Sequence, residues 1–367
     1  MTEEQREHYE HEMGMIETFD KISQQLLPIT PEHRKEELIK RLNTIEIPND
    51  LYIPTNPEYK IISIISSESI PLKSHAKVPM LIKFQVIKDD NNNNNNSTNI
   101  NISRYRPLQS FGCIFKIQDD VRMDSMIIQF IDKFLRIFKE AGIKCYMKPY
   151  KVIATGNERG VIECITNAKS RHEIGKEFPK KLLSYYVYKY GQIGTSEFNK
   201  AQQNFILSMA PYSLLCYIFQ IKDRHNANIM IDDDGHILHI DFGFIFDITP
   251  AGGIEKAHFK LTNEMVELMG GSTTAPEFKQ FKQLYTQCFI AIRSRFDEIE
   301  AIAKLMVNAG FPCFTQNSFV NLRKRLFLEL RGADLLNAIG TTIKESLESK
   351  TTWIYDFFQM TTNGTYY

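Results

Sequence analysis

Residues 222–243, KDRHNANIMIDDDGHILHIDFG, gather the side chains of this sequence best suited to chemistry. Asp223, Arg224, His225, Asn226 and Asn228 form one polar cluster, and Asp241-Phe242-Gly243 a second. Between them IMIDDDGHILHI reads as two short strands around a turn at Asp233-Asp234-Gly235, so a hairpin would bring the clusters side by side. Phosphoryl transfer needs such a set. The donor's phosphates require a cation and backbone donors, Mg²⁺ requires hard oxygen ligands, and the attacking hydroxyl requires a group to orient it and accept its proton. Asp223 and Asn228 are five residues apart, and Asp241 follows Asn228 by thirteen. Asp241 is the first candidate Mg²⁺ ligand and Asn228 the second. His225 is the candidate general base, because imidazole titrates near working pH. Asp223 either shares that task or holds His225 and the hydroxyl in place. Arg224, between them, is a candidate of the same cluster that reads as an internal salt-bridge partner more than as a catalytic group. The bland reading of these residues is a turn whose Asn228 and Asp241 merely cap a hairpin, and His236 and His239 read as structural.

The chain that must position them has 367 residues, 43% of them apolar, enough for one large domain or two. Lys+Arg and Asp+Glu each number 44, so no net field draws in nucleic acid or a charged membrane. The cysteines at 113, 145, 164, 216, 288 and 313 show no CxxC spacing, which argues against structural zinc and for reduced thiols. The acidic N-terminus is no signal peptide, and no stretch approaches the about 18 apolar residues of a membrane span. A cytoplasmic protein that touches membranes peripherally is expected.

Along the chain, Met13, Ile16, Phe19, Ile22 and Leu26 recur at helical spacing within residues 3–27. A second helix starts at Thr30-Pro31 and buries Leu38, Leu42 and Ile45. Residues 1–49 thus read as N-terminal helices, the tail of an accessory region. Strands are expected at 59–66, 78–87, 112–117, 150–156 and 160–165. Residues 88–103 include six consecutive asparagines, a low-complexity insert expected to form a disordered loop. Met126, Ile127, Phe130, Ile131, Phe134, Leu135 and Phe138 predict a strong helix. After Thr166 the pattern turns helical, over 179–220 and 262–360, and Pro211 should kink its helix by removing a backbone donor. The expected class is α+β, with a small β-rich lobe at 50–165 and a larger, mainly helical lobe at 166–367.

Asp-x4-Asn followed by DFG resembles the catalytic loop and metal-binding Asp of protein kinases, yet Asp223-Arg224-His225 reverses their His-Arg-Asp order. DRHNxN followed by HIDFG resembles instead the phosphatidylinositol 3-/4-kinase superfamily, which has a related bilobal, protein-kinase-like fold. IFKIQDDVRMD (114–124) looks like that family's FK-x-x-DD-x-R-x-D segment. The resemblance implies that Lys116 meets the ATP phosphates and that Asp124, at the start of the strongest helix, orients it. PYKVIATGNERGVIECI resembles the strand and hinge around adenine, implying that Tyr150 lines the pocket and that Glu163 and Ile165 contribute mainly backbone groups. SSESIPLKS (66–74) stands where the family has its phosphate-facing loop, with Ser67 among its hydroxyls. An ordinary surface lysine at 116 and a merely buried aromatic at 150 are the bland alternatives.

DLYIPTNPE (50–58), QIKDRHNANIMID, HIDFGFIF, FKLTNEMVELMGG (259–271) and GFPCF (310–314) are similar to the catalytic region of type III alpha phosphatidylinositol 4-kinases. Gln118 and Met123 stand where that family usually has Gly and Gln, and Ala227 where Gly is frequent. None of these departures removes a group that does chemistry. The resemblance implies a 1-phosphatidylinositol 4-kinase using ATP and Mg²⁺, with Mn²⁺ as a substitute. Its partners would be phosphatidylinositol in membranes and membrane-recruiting adaptor proteins, with no nucleic acid. The segment after DFG (244–262) sets Lys256, His258 and Lys260 against Asp247 and Glu255. It lacks the cation cluster that extra ring phosphates would call for, which favours phosphatidylinositol itself. The aromatic C-terminus, with Trp353, Ile354, Phe357 and Phe358, suits a short helix in the headgroup region or one packed on the larger lobe. The alternatives are a phosphoinositide 3-kinase, a related protein Ser/Thr kinase and, least favoured, a non-catalytic scaffold.

Overall fold

The structure, a computed structural model, describes residues 1–72, 77–89, 107–179, 181–246, 248, 257–307, 309–311 and 313–349. Most of the Asn-rich insert, the middle of the segment after DFG, part of the 66–74 loop and the aromatic C-terminus lie outside them. The chain forms two compact units, Met1–Ser125 with Tyr150–Thr166, and Met126–Pro149 with Asn167–Tyr367.

The first unit opens with α1 (Glu3–Leu26) and α2 (Pro31–Leu42). Thr2 starts α1 with a capping box, its hydroxyl taking the Gln5 N–H while the Gln5 side chain takes its own N–H. Next come β1 (Tyr52–Ile53), β2 (Asn56–Ile64), β3 (Ile70–Pro71), β4 (Met80–Lys88), β5 (Gln109–Ile117), α3 (Arg122–Glu140), β6 (Val152–Gly156) and β7 (Arg159–Glu163). The strands form one antiparallel sheet in the order β1-β2-β4-β5-β7-β6, with β3 paired to β4. Period-two alternation sends Met80, Ile82, Phe84 and Val86 of β4 into the same core as Cys113, Phe115 and Ile117 of β5. Met15, Ile16, Phe19, Ile22 and Leu26 of α1 cover that face, with the Phe19 ring 4.5 Å from that of Phe115. The opposite face therefore carries Leu81 and Lys83 beside Gly112, Ile114 and Lys116.

From Met126 onward α3 belongs to the second unit, which continues with β8 (Ala168–Ser170), α4 (Arg171–Glu177), α5 (Leu182–Tyr190), α6 (Ser196–Phe219), β9 (Ile229–Asp232) and β10 (Ile237–His239). Helices α7 (Asn263–Leu268), α8 (Pro276–Ser294), α9 (Phe296–Val307), α10 (Gln316–Arg325) and α11 (Gly332–Glu348) follow. The expected hairpin is β9–β10, extended by β8 into a three-stranded sheet. Helix α6 is buried along almost its whole C-terminal half and packs Phe219 against Phe130 of α3 at 4.5 Å. Pro211 lies within α6, and the carbonyl it leaves without an in-helix donor, that of Leu207, accepts the Tyr146 N–H at 2.9 Å. The hydroxyl of neighbouring Tyr212 accepts the Lys148 N–H at 3.1 Å, so the chain after α3 is pinned along α6.

All six cysteines are free, and four are buried. Among the described residues no helix is long and apolar enough to cross a membrane.

Candidate functional site

The hairpin does what its sequence suggests. Ile229 pairs with His239, and one residue further out the Ile240 N–H donates to the Asn228 carbonyl at 3.1 Å, so the two polar clusters adjoin. The turn is fixed by Asp232, whose Oδ1 accepts the N–H groups of Asp234 (3.0 Å) and His236 (2.8 Å). Gly235 sits at φ 90°, where a Cβ would also stand 3.0 Å from the Ala201 carbonyl of α6. His236 and His239 are structural, as expected. The first bonds Asp232 at 2.9 Å and stacks on Tyr146; the second is buried, stacks on Tyr212 and meets the Cys216 thiol. Burial, then the charges of Arg224 and Lys260, holds His239 well below the usual imidazole range, so it is neutral.

Asp223 of the first cluster and Asp241 of the second both take the left-handed backbone conformation, at φ 63° and 60°. Aspartate tolerates that region better than most residues, and such conformations gather at functional sites. The Asn228 amide donates through Nδ2 to the Asp223 carbonyl at 3.0 Å, which turns its Oδ1 away from that carbonyl. Asn228 is buried and Asp241 is exposed. Both present hard oxygen donors of the kind Mg²⁺ takes. Among the described residues no group of three or more His, Cys, Asp or Glu side chains could enclose a metal. A two-ligand set of this kind fits a Mg²⁺ that arrives with phosphate and water oxygens completing its shell.

His225 Nδ1 faces the Ala227 N–H at 3.2 Å and must accept from it, so the neutral ring carries its proton on Nε2. That nitrogen lies 3.8 Å from Asp223 Oδ2. Burial lowers the His225 pKa; Asp223 opposes that effect, Arg224 and Lys260 reinforce it, and Asp241 opposes it. Arg224 departs from expectation. Instead of an ion pair, its buried guanidinium donates to three main-chain carbonyls, those of Lys222 (3.0 Å), Ile240 (2.8 Å) and Asp241, and lies over the Phe242 ring. It joins residues 222–224 to residues 240–241 through main-chain oxygens, and among the described residues no ion pair of Arg224 is formed.

In the first unit Lys116 lies on β5 opposite Gly160 of β7, with its ammonium 3.6 Å from Asp119 and 4.0 Å from Asp124. Asp124, in the first turn of α3, is only 2% exposed. The sequence reading assigned the orientation of Lys116 to Asp124 and overlooked the nearer Asp119. A Cβ at Gly160 would meet Val121 Cγ2 at 2.2 Å and the Ile153 carbonyl at 2.6 Å, so glycine is required opposite Lys116. Tyr150 is buried, and Ile165 is half-buried. Glu163 accepts the Lys151 N–H through its carboxylate and donates its own N–H to the Lys151 carbonyl, both at 2.9 Å. The serines divide. Ser69 is buried as a staple between Ile65 and Lys83, Ser66 bonds Asn43, and Ser67 is exposed on a short 3₁₀ turn, Ser66–Glu68.

Two lysines that the sequence reading counted only as charges or passed over are bonded around residues 222–228. Lys260 is 3% exposed and donates to Asn226 Oδ1 at 2.9 Å. Lys222 Nζ donates to the Ala257 carbonyl at 3.0 Å. Neither pairing leaves a local pattern, since each spans more than thirty residues.

The chain is 37% identical over 364 residues to phosphatidylinositol 4-kinase STT4 of Saccharomyces cerevisiae, covering 98% of this chain and 19% of that protein. It is 34% identical over 362 residues to phosphatidylinositol 4-kinase alpha 1 of Arabidopsis thaliana, covering 97% of this chain and 17% of that protein. It is also 38% identical over 254 residues to phosphatidylinositol 4-kinase beta of Danio rerio, with 68% of this chain and 30% of that protein matched. The chain thus spans about a fifth of the length of the first two relatives. The family pattern described as phosphatidylinositol 3- and 4-kinase matches residues 110–316, which take in Lys116, the catalytic loop and DFG, and the chain belongs to that family.

Proposed function

We propose that this chain is the catalytic region of a 1-phosphatidylinositol 4-kinase. It would transfer the ATP γ-phosphate to the 4-hydroxyl of phosphatidylinositol, giving phosphatidylinositol 4-phosphate. The observation that carries the reading is the junction at Asn228 and Ile240, which sets Asp223, Asn228 and Asp241 in one cluster. The names of the relatives supply the 4-hydroxyl. In the first unit Lys116, aligned by Asp119 and Asp124, would meet the phosphates, together with exposed Ser67. Tyr150, the Glu163 carbonyl and Ile165 would receive the adenine. In the second unit Asn228 and Asp241 would hold Mg²⁺, which supplies charge neutralisation on the transferring phosphoryl group.

The proton of the attacking hydroxyl is best assigned to Asp223. With its Nδ1 committed to the Ala227 N–H, neutral His225 has a donor rather than an acceptor to offer at Nε2. It would therefore orient the hydroxyl or the Asp223 carboxylate, which favours Asp223 of the two groups that the sequence leaves open as the base. Membrane association would be peripheral, aided by adaptor proteins outside this chain.

The test is to incubate the chain with phosphatidylinositol vesicles, labelled ATP and Mg²⁺ and to identify the isomer formed. Phosphatidylinositol 4-phosphate made by the wild type and lost in Asp241→Ala is the expected result. A 3-phosphate product, or phosphorylation of peptides and not lipid, would overturn the reading.

A further inference from the structure

The segment after DFG is bracketed by one residue of the catalytic loop. The Lys222 N–H donates to the Phe244 carbonyl at 2.9 Å, near the start of the segment, and Lys222 Nζ donates to the Ala257 carbonyl at 3.0 Å, near its end. Three residues further on, Lys260 turns inward and donates to Asn226 Oδ1 at 2.9 Å. Asn226 is buried, and its main-chain carbonyl accepts the His172 N–H at 2.9 Å, from the first turn of α4. Between the two lysines His258 reaches the other way, with its Nε2 2.7 Å from Glu345 of α11. Residues 257–260 are thereby tied to the catalytic loop at two points and to α11 at a third.

Burying an ammonium is costly, so the groups around Lys260 have to meet it in a defined geometry. Lys222 bonds Phe244 through its main chain and Ala257 through its side chain, so one residue sets the separation of those two positions. We propose that Lys222 and Lys260 are positioning residues that hold residues 257–262 in register with the catalytic loop, so that the acceptor hydroxyl is presented to Asp223. The proposal rests on the lipid-kinase reading above and adds to it the groups that align the acceptor side of the reaction. It predicts that these lysines matter to the lipid and little to the nucleotide.

The experiment compares the full chain with Lys260→Met, Lys260→Arg and Lys222→Met. It measures kcat and KM for phosphatidylinositol in vesicles, KM for ATP, and hydrogen exchange of the amides of residues 257–262. Lys260→Met and Lys222→Met should each lower kcat/KM for the lipid by about tenfold or more, with KM for ATP changed less than about twofold. Lys260→Arg, which keeps a donor, should recover part of the loss. Exchange of 257–262 should quicken in both methionine variants. Lipid kcat/KM within about twofold of the wild type in both of them, or nucleotide and lipid constants falling together, would overturn the proposal. If the wild type phosphorylates no lipid, the functional reading fails separately, and exchange decides the clamp: unchanged protection of 257–262 in both methionine variants defeats it.

Discussion

The guanidinium of Arg224 donates to the main-chain carbonyl of Asp241. One side chain of the catalytic loop thus fixes the backbone of the residue whose carboxylate is the first candidate for Mg²⁺. The same group holds the carbonyls of Ile240 and Lys222, so the left-handed turn at Asp241 is set from behind by a planar, buried fork. Lysine cannot reproduce three such bonds from a single ammonium. Arg224→Ala should lower the unfolding free energy by about 2–4 kcal/mol, because it leaves buried carbonyls without donors. Arg224→Lys should remain folded by circular dichroism while losing about tenfold or more in ATP turnover. A lysine variant with full turnover would show that the fork does not set Asp241.

The division of labour between Asp223 and His225 separates by substitution. If Asp223 takes the proton, Asp223→Asn removes the base at nearly constant shape and should cost about 10²–10⁴ in kcat. His225→Gln keeps a polar group that can donate towards Asp223 and should cost about ten times less than that. Single-turnover rates under saturating ATP and lipid would measure both. The reverse order, with His225→Gln the more damaged variant, would restore histidine as the base.

Much of this site is legible in the sequence because it depends on local geometry. A hairpin predicted from IMIDDDGHILHI necessarily places Asn228 beside Ile240, and with it the metal-binding candidates. Strands β4 and β5 follow from alternation, β2 from its run of isoleucines, and α3 from its apolar stripe. Strand β8 did not follow, since Ala-Lys-Ser has no apolar pattern and exists as a strand only because Ala168 pairs with Asp232. The partners of Arg224 were invisible for another reason. Main-chain carbonyls carry no residue identity, so a sequence suggests a carboxylate where the fold supplies peptide oxygens. Pro211 shows both limits together. The lost donor was foreseeable, whereas its replacement by the Tyr146 N–H depends on a chain crossing that no local pattern encodes.

Gln118 stands where the resembled family usually has glycine, and its φ of 56° gives the physical reason for that preference. A left-handed non-glycine residue costs about 1–2 kcal/mol, of which glycine's greater unfolded entropy returns about 0.5–1. Gln118→Gly should therefore stabilise the chain by roughly 0.5 kcal/mol, whereas β-branched Gln118→Val should destabilise it by about 1 kcal/mol. Urea unfolding would check both signs. Equal stability of the glycine and valine variants would mean that this turn does not hold the left-handed conformation.

On α1, His11 Nδ1 lies 2.9 Å from Asp50 Oδ1 in the loop before β1, and His8 Nδ1 lies 3.4 Å from Asp50 Oδ2. The Asp50 hydrogen bond raises the His11 pKa against a smaller opposing effect of burial, and the charges of Asp50, Glu7 and Glu10 add to the rise. Burial pushes Asp50 up, yet its hydrogen bonds with His11, its own backbone and His8 bring it below the usual carboxylate range. The signs then define a window. The histidine's share is complete below its unfolded value near 6.5 and is lost as pH rises through the higher folded value. The carboxylate's share is present above 3.8 and fades as pH falls through the lowered one. Tm of the wild type should thus exceed that of His11→Gln most clearly below the unfolded imidazole value near 6.5, and the two should converge as pH rises through the higher folded value. A difference that persists unchanged at alkaline pH would assign the stabilisation to packing of the imidazole instead of its charge.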